Sequence, residues 1–168
     1  MSRLTRIFTH RWFDERDARR LLGRDALAHL TEQIRQSEQQ HDGEIRLCIE
    51  SGLPPLAAWR GCTPRERALD CFSQLRVWDT EQNNGVLIYL LLAEHAIEIV
   101  ADRGLHQPAA EQSWPAIVDA AQAAFKRGDF ERGLHDAVSA VTQVLRAAYP
   151  PTDRGRATNE LPDAPVVR

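Results

Sequence analysis

No stretch of this sequence stays apolar for the roughly 18 to 20 residues that a bilayer-spanning helix needs. The first twenty residues, MSRLTRIFTHRWFDERDARR, carry Arg3, Arg6 and Arg11 but no apolar centre, so they do not read as a secretory signal. Cysteine is scarce. Cys48, Cys62 and Cys71 are odd in number and none forms a C-x-x-C pair, which argues for packed thiols over a disulfide frame or a zinc site. Lysine is nearly missing: Lys126 is its sole occurrence among 21 basic residues. The formal charge of -3 leaves no basic surplus for nucleic acid. Four signatures are absent: G-x-x-x-x-G-K-[ST], G-x-S-x-G, H-E-x-x-H and G-x-G-x-x-G. The common nucleotide-binding, serine-hydrolase and zinc-protease chemistries therefore have no footing. A cytoplasmic protein with no transmembrane segment and no nucleic-acid partner is the expectation.

What is present suits one domain. A chain of 168 residues with 43% hydrophobic and 27% charged side chains can bury a real core. The stretch from Trp78 to His106 organises it. A polar loop, Asp79 to Asn84, feeds the apolar run Val86 to Leu92. Ala93 to His95 turn the chain, and Ala96 to Ala101 bring it back to Asp102-Arg103-Gly104. Short runs this rich in Val, Ile and Leu read as buried strands, and so short a connection pairs them antiparallel. Upstream, Glu44 to Ser51 alternates: Ile45, Leu47 and Ile49 on one side, Glu44, Arg46, Cys48 and Glu50 on the other. Thr63-Pro64-Arg65-Glu66 has the form of a capping box with proline at the first helical position, opening a helix over 64–77. Strand, helix and strand make a β-α-β unit, whose crossover requires parallel strands.

The flanks are helical. Asp14 to about Gln40 has a stripe of Leu27, Leu30 and Ile34, with Gly23 as an interruption. Gly52 to Cys62, with Pro54 and Pro55, reads as a loop or a short irregular turn. After Pro108, helices over about 109–126 and 130–148 flank Gly128-Asp129. Residues 1–26 form an arm and helix start, 27–150 the domain, and 151–168 a polar, proline-bearing tail expected to be disordered. Ile7, Phe8, Trp12 and Phe13 make the arm a candidate surface for a protein partner.

The topology gathers chemistry at one end. The starts of both parallel strands and the end of the hairpin's second strand lie together. So do His41-Asp42-Gly43-Glu44, Asp79 to Asn84, and Asp102-Arg103-Gly104-Leu105-His106. Asp42, Glu44, Asp79, Glu81, Asn83, Asn84 and Asp102 are all oxygen donors, which suit Ca²⁺ or Mg²⁺. Arg103 beside such an ion would hold an anionic phosphate, and metal-assisted hydrolysis of a phosphate ester is the matching reaction.

Six segments in order carry a resemblance: G-E-I-R at 43–46, R-A-L-D-C-F-S-Q-L at 67–75, N-N-G-V-L-I-Y at 83–89, E-I-V-A-D-R-G at 98–104, Trp114, and A-F-K-R-G-D-F-E-R-G-L at 124–134. Over roughly 27–150 the chain resembles the TPM domain family, the phosphatase-like domain of thylakoid and membrane founding proteins. The resemblance implies a three-layer α/β/α sandwich around a small mixed sheet, with the β-α-β unit followed by the hairpin and C-terminal helices. It implies a phosphatase-like label tied to membrane-complex maintenance, with Ca²⁺ bound in some members. Many members are exported and anchored, so this chain is expected to be a short cytoplasmic form. Matching the motifs carries over Asn84 and Asp102 as metal-ligand candidates, with Asp79 and Glu44 beside them; Arg103 stays the anion binder that its place beside such an ion suggests. The alternative is a non-enzymatic interaction or assembly module.

Overall fold

The computed structural model describes residues 20–23, 25–151 and 159–168, so the aromatic arm around Ile7, Phe8, Trp12 and Phe13 lies outside the described residues. Four strands form one mixed sheet: β1 (Glu44–Glu50), β2 (Gly85–Leu91), β3 (Ala96–Ala101) and β4 (Val166–Val167), in the order β3-β2-β1-β4. β1 and β2 run parallel, pairing Glu44 with Gly85 and Glu50 with Leu91. β2 and β3 run antiparallel, with Val86 opposite Ala101. Among the described residues five full α-helices flank the sheet: α1 (Ala26–Ser37), α2 (Pro55–Arg60), α3 (Pro64–Gln74), α4 (Pro108–Lys126) and α5 (Phe130–Ala148).

Strand alternation sorts the core into two halves. Ile45, Leu47 and Ile49 join Val86, Ile88 and Leu90 on one face, under α1, α4 and α5. Cys48, Leu87, Tyr89 and Leu91 take the other, under Ala58 of α2 and Ala68 and Cys71 of α3. The molecule is therefore an α/β/α sandwich. Every residue of β1 and β2 is buried. Among the described residues no helix is long and apolar enough to cross a membrane.

Local chemistry sets the boundaries. Thr63 caps α3: its hydroxyl accepts from Glu66 N at 3.2 Å, and its own N–H donates to the Glu66 carboxylate at 2.7 Å. Gly23, at φ +90°, separates α1 from the helical residues before it. A single 3₁₀ turn, Leu92–Glu94, with His95 in the left-handed region, joins β2 to β3. The expected loop over 52–62 differs: Pro55 occupies the first position of α2, where its missing N–H costs nothing, and Gly61, at φ +75°, closes it.

The larger departure is the tail. Residues 152–158 are outside the described set, but 159–168 lie along the open edge of β1. β4 pairs parallel with β1, aligning Cys48 with Val166. Ser51 N donates to Arg168 O at 2.7 Å, and Arg168 N to Ile49 O at 2.9 Å. The reason lies in the polar face of β1. Glu44 accepts the N–H groups of Glu160 and Leu161 at 3.1 and 3.2 Å. Arg46 donates to the carbonyl oxygens of Pro162 and Ala164. Buried charges need such partners, and a polar tail supplies them through its main chain.

The third charge on that face, Glu50, is paired from α3. Arg67 donates to it through two nitrogens, at 2.8 and 2.6 Å, and Tyr89 Oη adds a bond at 2.6 Å. Arg67→Ala would leave a carboxylate buried inside the sandwich with only Tyr89 to hold it. It is expected to lower stability by about 3–5 kcal/mol in urea unfolding, whereas joint replacement by Glu50→Leu and Arg67→Met costs far less.

Carboxylates also crowd the tail edge. Burial, then the neighbouring Glu44 charge, pushes Glu38 from 4.5 up to about 9. Burial pushes Glu44 up to about 7 against the opposing hydrogen bonds from Glu160 and Leu161. Folded pKa values raised above the unfolded ones mean that the stability contribution is complete below about pH 4.5 and is lost as pH rises through about 7 and then about 9. Urea midpoints of the wild type should therefore fall between pH 6 and 9.5, and Glu38→Gln should flatten the part of that fall above pH 7.

Candidate functional site

Because β1 and β2 are parallel and β3 returns antiparallel, three loops meet where β1 and β2 begin and β3 ends. Backbone bonds lock them together. Glu44 N donates to Asn84 O at 3.4 Å, Asp102 N to Gly85 O at 2.9 Å, and Gly104 N to Asn83 O at 2.9 Å. Asn83 sits in the left-handed region, at φ +53°, a conformation that asparagine tolerates. Asn84 is the hub. Its N–H donates to Thr80 Oγ1 at 3.1 Å, and its Nδ2 to Asp42 O at 2.5 Å. Asp102 caps the 3₁₀ turn Arg103–Leu105, with Oδ1 accepting from Arg103 N at 2.7 Å.

The far wall comes from the end of α5. Asp42 N donates to Tyr149 O at 3.0 Å. Burial, then the charge of Asp102, raises the Tyr149 hydroxyl above its ordinary pKa. Gly104 makes this closeness possible. A Cβ there would lie 2.5 Å from Asn83 O and closer still to Tyr149 Oη.

Beneath Asp42, a buried polar chain ties α1 to α5. Gly43 N donates to His41 Nδ1 at 3.2 Å, so the ring proton sits on Nε2, which donates to Ser37 Oγ at 2.8 Å. Ser37 Oγ then donates to Thr142 Oγ1 at 2.6 Å, and Thr142 to Val138 O at 2.7 Å. Burial pushes His41 down to about 4, so the ring is neutral at pH 7. Its work is structural.

Two buried oxygens in this region have no hydrogen-bond partner: Asn84 Oδ1 and Asp102 Oδ2. Such atoms are uncommon and costly, about 1–3 kcal/mol each, so a pair at one sheet end calls for a ligand chemistry. One amide oxygen and one carboxylate oxygen are hard donors of the kind that Ca²⁺ or Mg²⁺ takes.

The other residues singled out in the sequence stand elsewhere. The Glu44 carboxylate faces the tail, bound to two amides. Asp79 is exposed on the rim. Glu81 is exposed, and its N–H donates to the Glu160 carboxylate at 3.0 Å. Arg103 is exposed and anchored by Nε to Asn83 Oδ1 at 2.8 Å. His106 is exposed too. Sequence reasoning missed Thr80 and Tyr149. Thr80 lies inside the loop already singled out; Tyr149 continues the apolar spacing of α5 four residues after Leu145, a pattern that places it against the core without naming the sheet end.

The family model of the TPM domain matches residues 16–144. The chain is similar to the BA42 protein from the psychrophilic bacterium Bizionia argentinensis. Its NMR structure superposes with a TM-score of 0.75 at 26% identity, over 88% of this chain and 95% of that one. The fold is also that of the N-terminal domain of a protein from P. gingivalis, with a TM-score of 0.57 at 22% identity, over 80% and 83% of the two chains. No curated protein matches.

Packing around Gly104 gives a test of the site's architecture. Gly104→Ala should destabilise by about 1–3 kcal/mol in urea unfolding, the cost of forcing atoms into a filled space. Its amide resonance shifts should centre on Asn83, Asp102 and Tyr149.

Proposed function

The chain belongs to the TPM domain family, and from that premise we propose that its sheet end binds a divalent cation, Ca²⁺ or Mg²⁺, through Asn84 Oδ1 and Asp102 Oδ2. The observation that carries the reading is the pair of buried, unpartnered oxygens. A bound cation would satisfy both. Neighbouring bonds hold the donors in place. Nδ2 of Asn84 is fixed by Asp42 O, which turns Oδ1 away from it, and Oδ1 of Asp102 is fixed by Arg103 N, which leaves Oδ2 for the ion. Glu44, held by the tail, is not in this ligand set. Asp79 stands at the rim, where it would act through water.

The ligand class that goes with this site is a phosphate. Arg103 is exposed at the same loop, and its bond to Asn83 fixes the approach of its guanidinium. A planar guanidinium beside a divalent cation matches a phosphoryl group's charge and shape. The cation would supply charge neutralisation to such a group. The residues of this chain bind and orient it. Hydrolysis of a phosphate ester is the reaction that the arrangement would serve, with water as the nucleophile, since the Thr80 hydroxyl is engaged and the His41 ring is enclosed.

Isothermal titration of the chelator-stripped chain with Ca²⁺ and with Mg²⁺ tests the reading, beside the near-isosteric Asp102→Asn. The expected result is binding of one ion in the micromolar range or tighter, weakened at least about tenfold in the variant. Absence of heat with both ions, or equal affinity in Asp102→Asn, would remove the site. An aryl phosphate assay on the same samples should show turnover that ends when the chelator is restored.

A further inference from the structure

The opposite end of the helical layer carries a different donor set. α1 and α5 run side by side in the same direction. His29 meets Glu131, Gln33 Nε2 donates to His135 O and Ser139 Oγ at 2.9 and 2.8 Å, and Ser37 meets Thr142. The two helices therefore start together, and the start of α5 lies roughly 27 Å from Tyr149 at its far end. At that start, His29, Glu131 and His135 each offer one ligand atom, and these atoms all lie within 4.8 Å of one another. A single oxygen, Glu131 Oε1, faces both rings: 3.3 Å from His29 Nδ1 and 4.0 Å from His135 Nε2.

We propose that His29, Glu131 and His135 form a site for a transition-metal dication of the Zn²⁺ class, distinct from the sheet end. The argument begins with spacing. Ligands at 2.0–2.2 Å from a tetrahedral Zn²⁺ stand about 3.3 Å apart. Of the three pairs, His29–Glu131 already has that edge at 3.3 Å, Glu131–His135 must close from 4.0 Å, and His29–His135 closes from within 4.8 Å. It continues with chemistry: two imidazoles and a carboxylate suit Zn²⁺, Co²⁺ or Ni²⁺, whereas an all-oxygen set suits Ca²⁺ or Mg²⁺.

Preorganisation supports the same conclusion. Glu131 and His135 are four apart on α5 and so share a face. The first turn of α5 is anchored by Phe130, which is buried, stacks on Phe125 with ring centroids 5.1 Å apart and receives the edge of His95 at 5.0 Å. The bonds of Gln33 set the register of α1 one turn below His29. Nearby positive charge is largely matched: Arg127 faces Asp129 at 3.6 Å, and Arg132 faces Asp136 at 3.7 Å. His29 is exposed, and the half-buried Glu131 and His135 line an open groove, which leaves the fourth position to water or to an incoming ligand.

Competition of the chelator-stripped full chain with a chromophoric indicator for Zn²⁺ tests the proposal, along with the visible absorption of a Co²⁺-loaded sample. The wild type should take up one equivalent at micromolar affinity or better, with the intense Co²⁺ bands of a four-coordinate site. His29→Gln and His135→Gln should each weaken uptake about tenfold to a hundredfold. Asp102→Asn and Cys62→Ser should leave it unchanged. No uptake by the wild type, or uptake unchanged in both histidine variants, would overturn the proposal. Loss of uptake in Asp102→Asn or Cys62→Ser would overturn it as well, by placing the metal at the sheet end or on the thiol.

Discussion

Everything in this fold answers to the burial of β1 and β2 over their whole length. A parallel pair covered on both faces cannot send a polar side chain to water, yet β1 carries Glu44, Arg46 and Glu50 on one face. Each is met from outside the strand: Glu44 by tail amides, Arg46 by tail carbonyls, and Glu50 by Arg67 with Tyr89. Without those partners the desolvation of three charges would exceed what the neighbouring aliphatic contacts return. The second helical layer and the C-terminal segment are thus held by the requirements of one strand as much as by their own apolar residues.

The ends of the same two strands have the complementary problem. There the chain turns, main-chain groups lose their ladder partners, and side chains must replace them. Asn84 and Asp102 do so with one polar atom each and leave the other unpaired, while Thr80 and the His41–Ser37–Thr142 chain close the surroundings. A site of this kind arises because strand ends need capping anyway. What sets it apart is that the capping stops two oxygens short.

Much of this could be read from the sequence, because the signals were periodic or local. The hairpin followed from two aliphatic runs three residues apart, the start of α3 from Thr63-Pro64 and Glu66, and the meeting of Asn84 with Asp102 from the geometry of an antiparallel return. α2 was hidden behind two prolines that more often mark a loop. The docking of 159–168 was hidden for a deeper reason. It works through backbone groups, which every sequence possesses, and its composition resembles that of chains that stay in water. The clue lay elsewhere, in the charged alternate positions of β1, which demanded something to cover them. Glu44 joined the site candidates because it shares the sheet end, but its carboxylate is taken up by the tail amides of Glu160 and Leu161. Tyr149 and the His29–Glu131–His135 cluster depend on helix register, which no single segment encodes.

The tail strand has one more consequence, and it concerns time. Glu44 and the amide of Glu160 that holds it are 116 residues apart. At roughly 5–20 residues per second of synthesis, β1 would wait about 6 to 23 seconds before that partner is even made. During that interval a nascent chain has an uncovered strand edge bearing buried-type charges. Inward-pointing charges are one of the devices that discourage such an edge from pairing with another chain. The polar face of β1 thus protects the unfinished protein before it anchors the finished one.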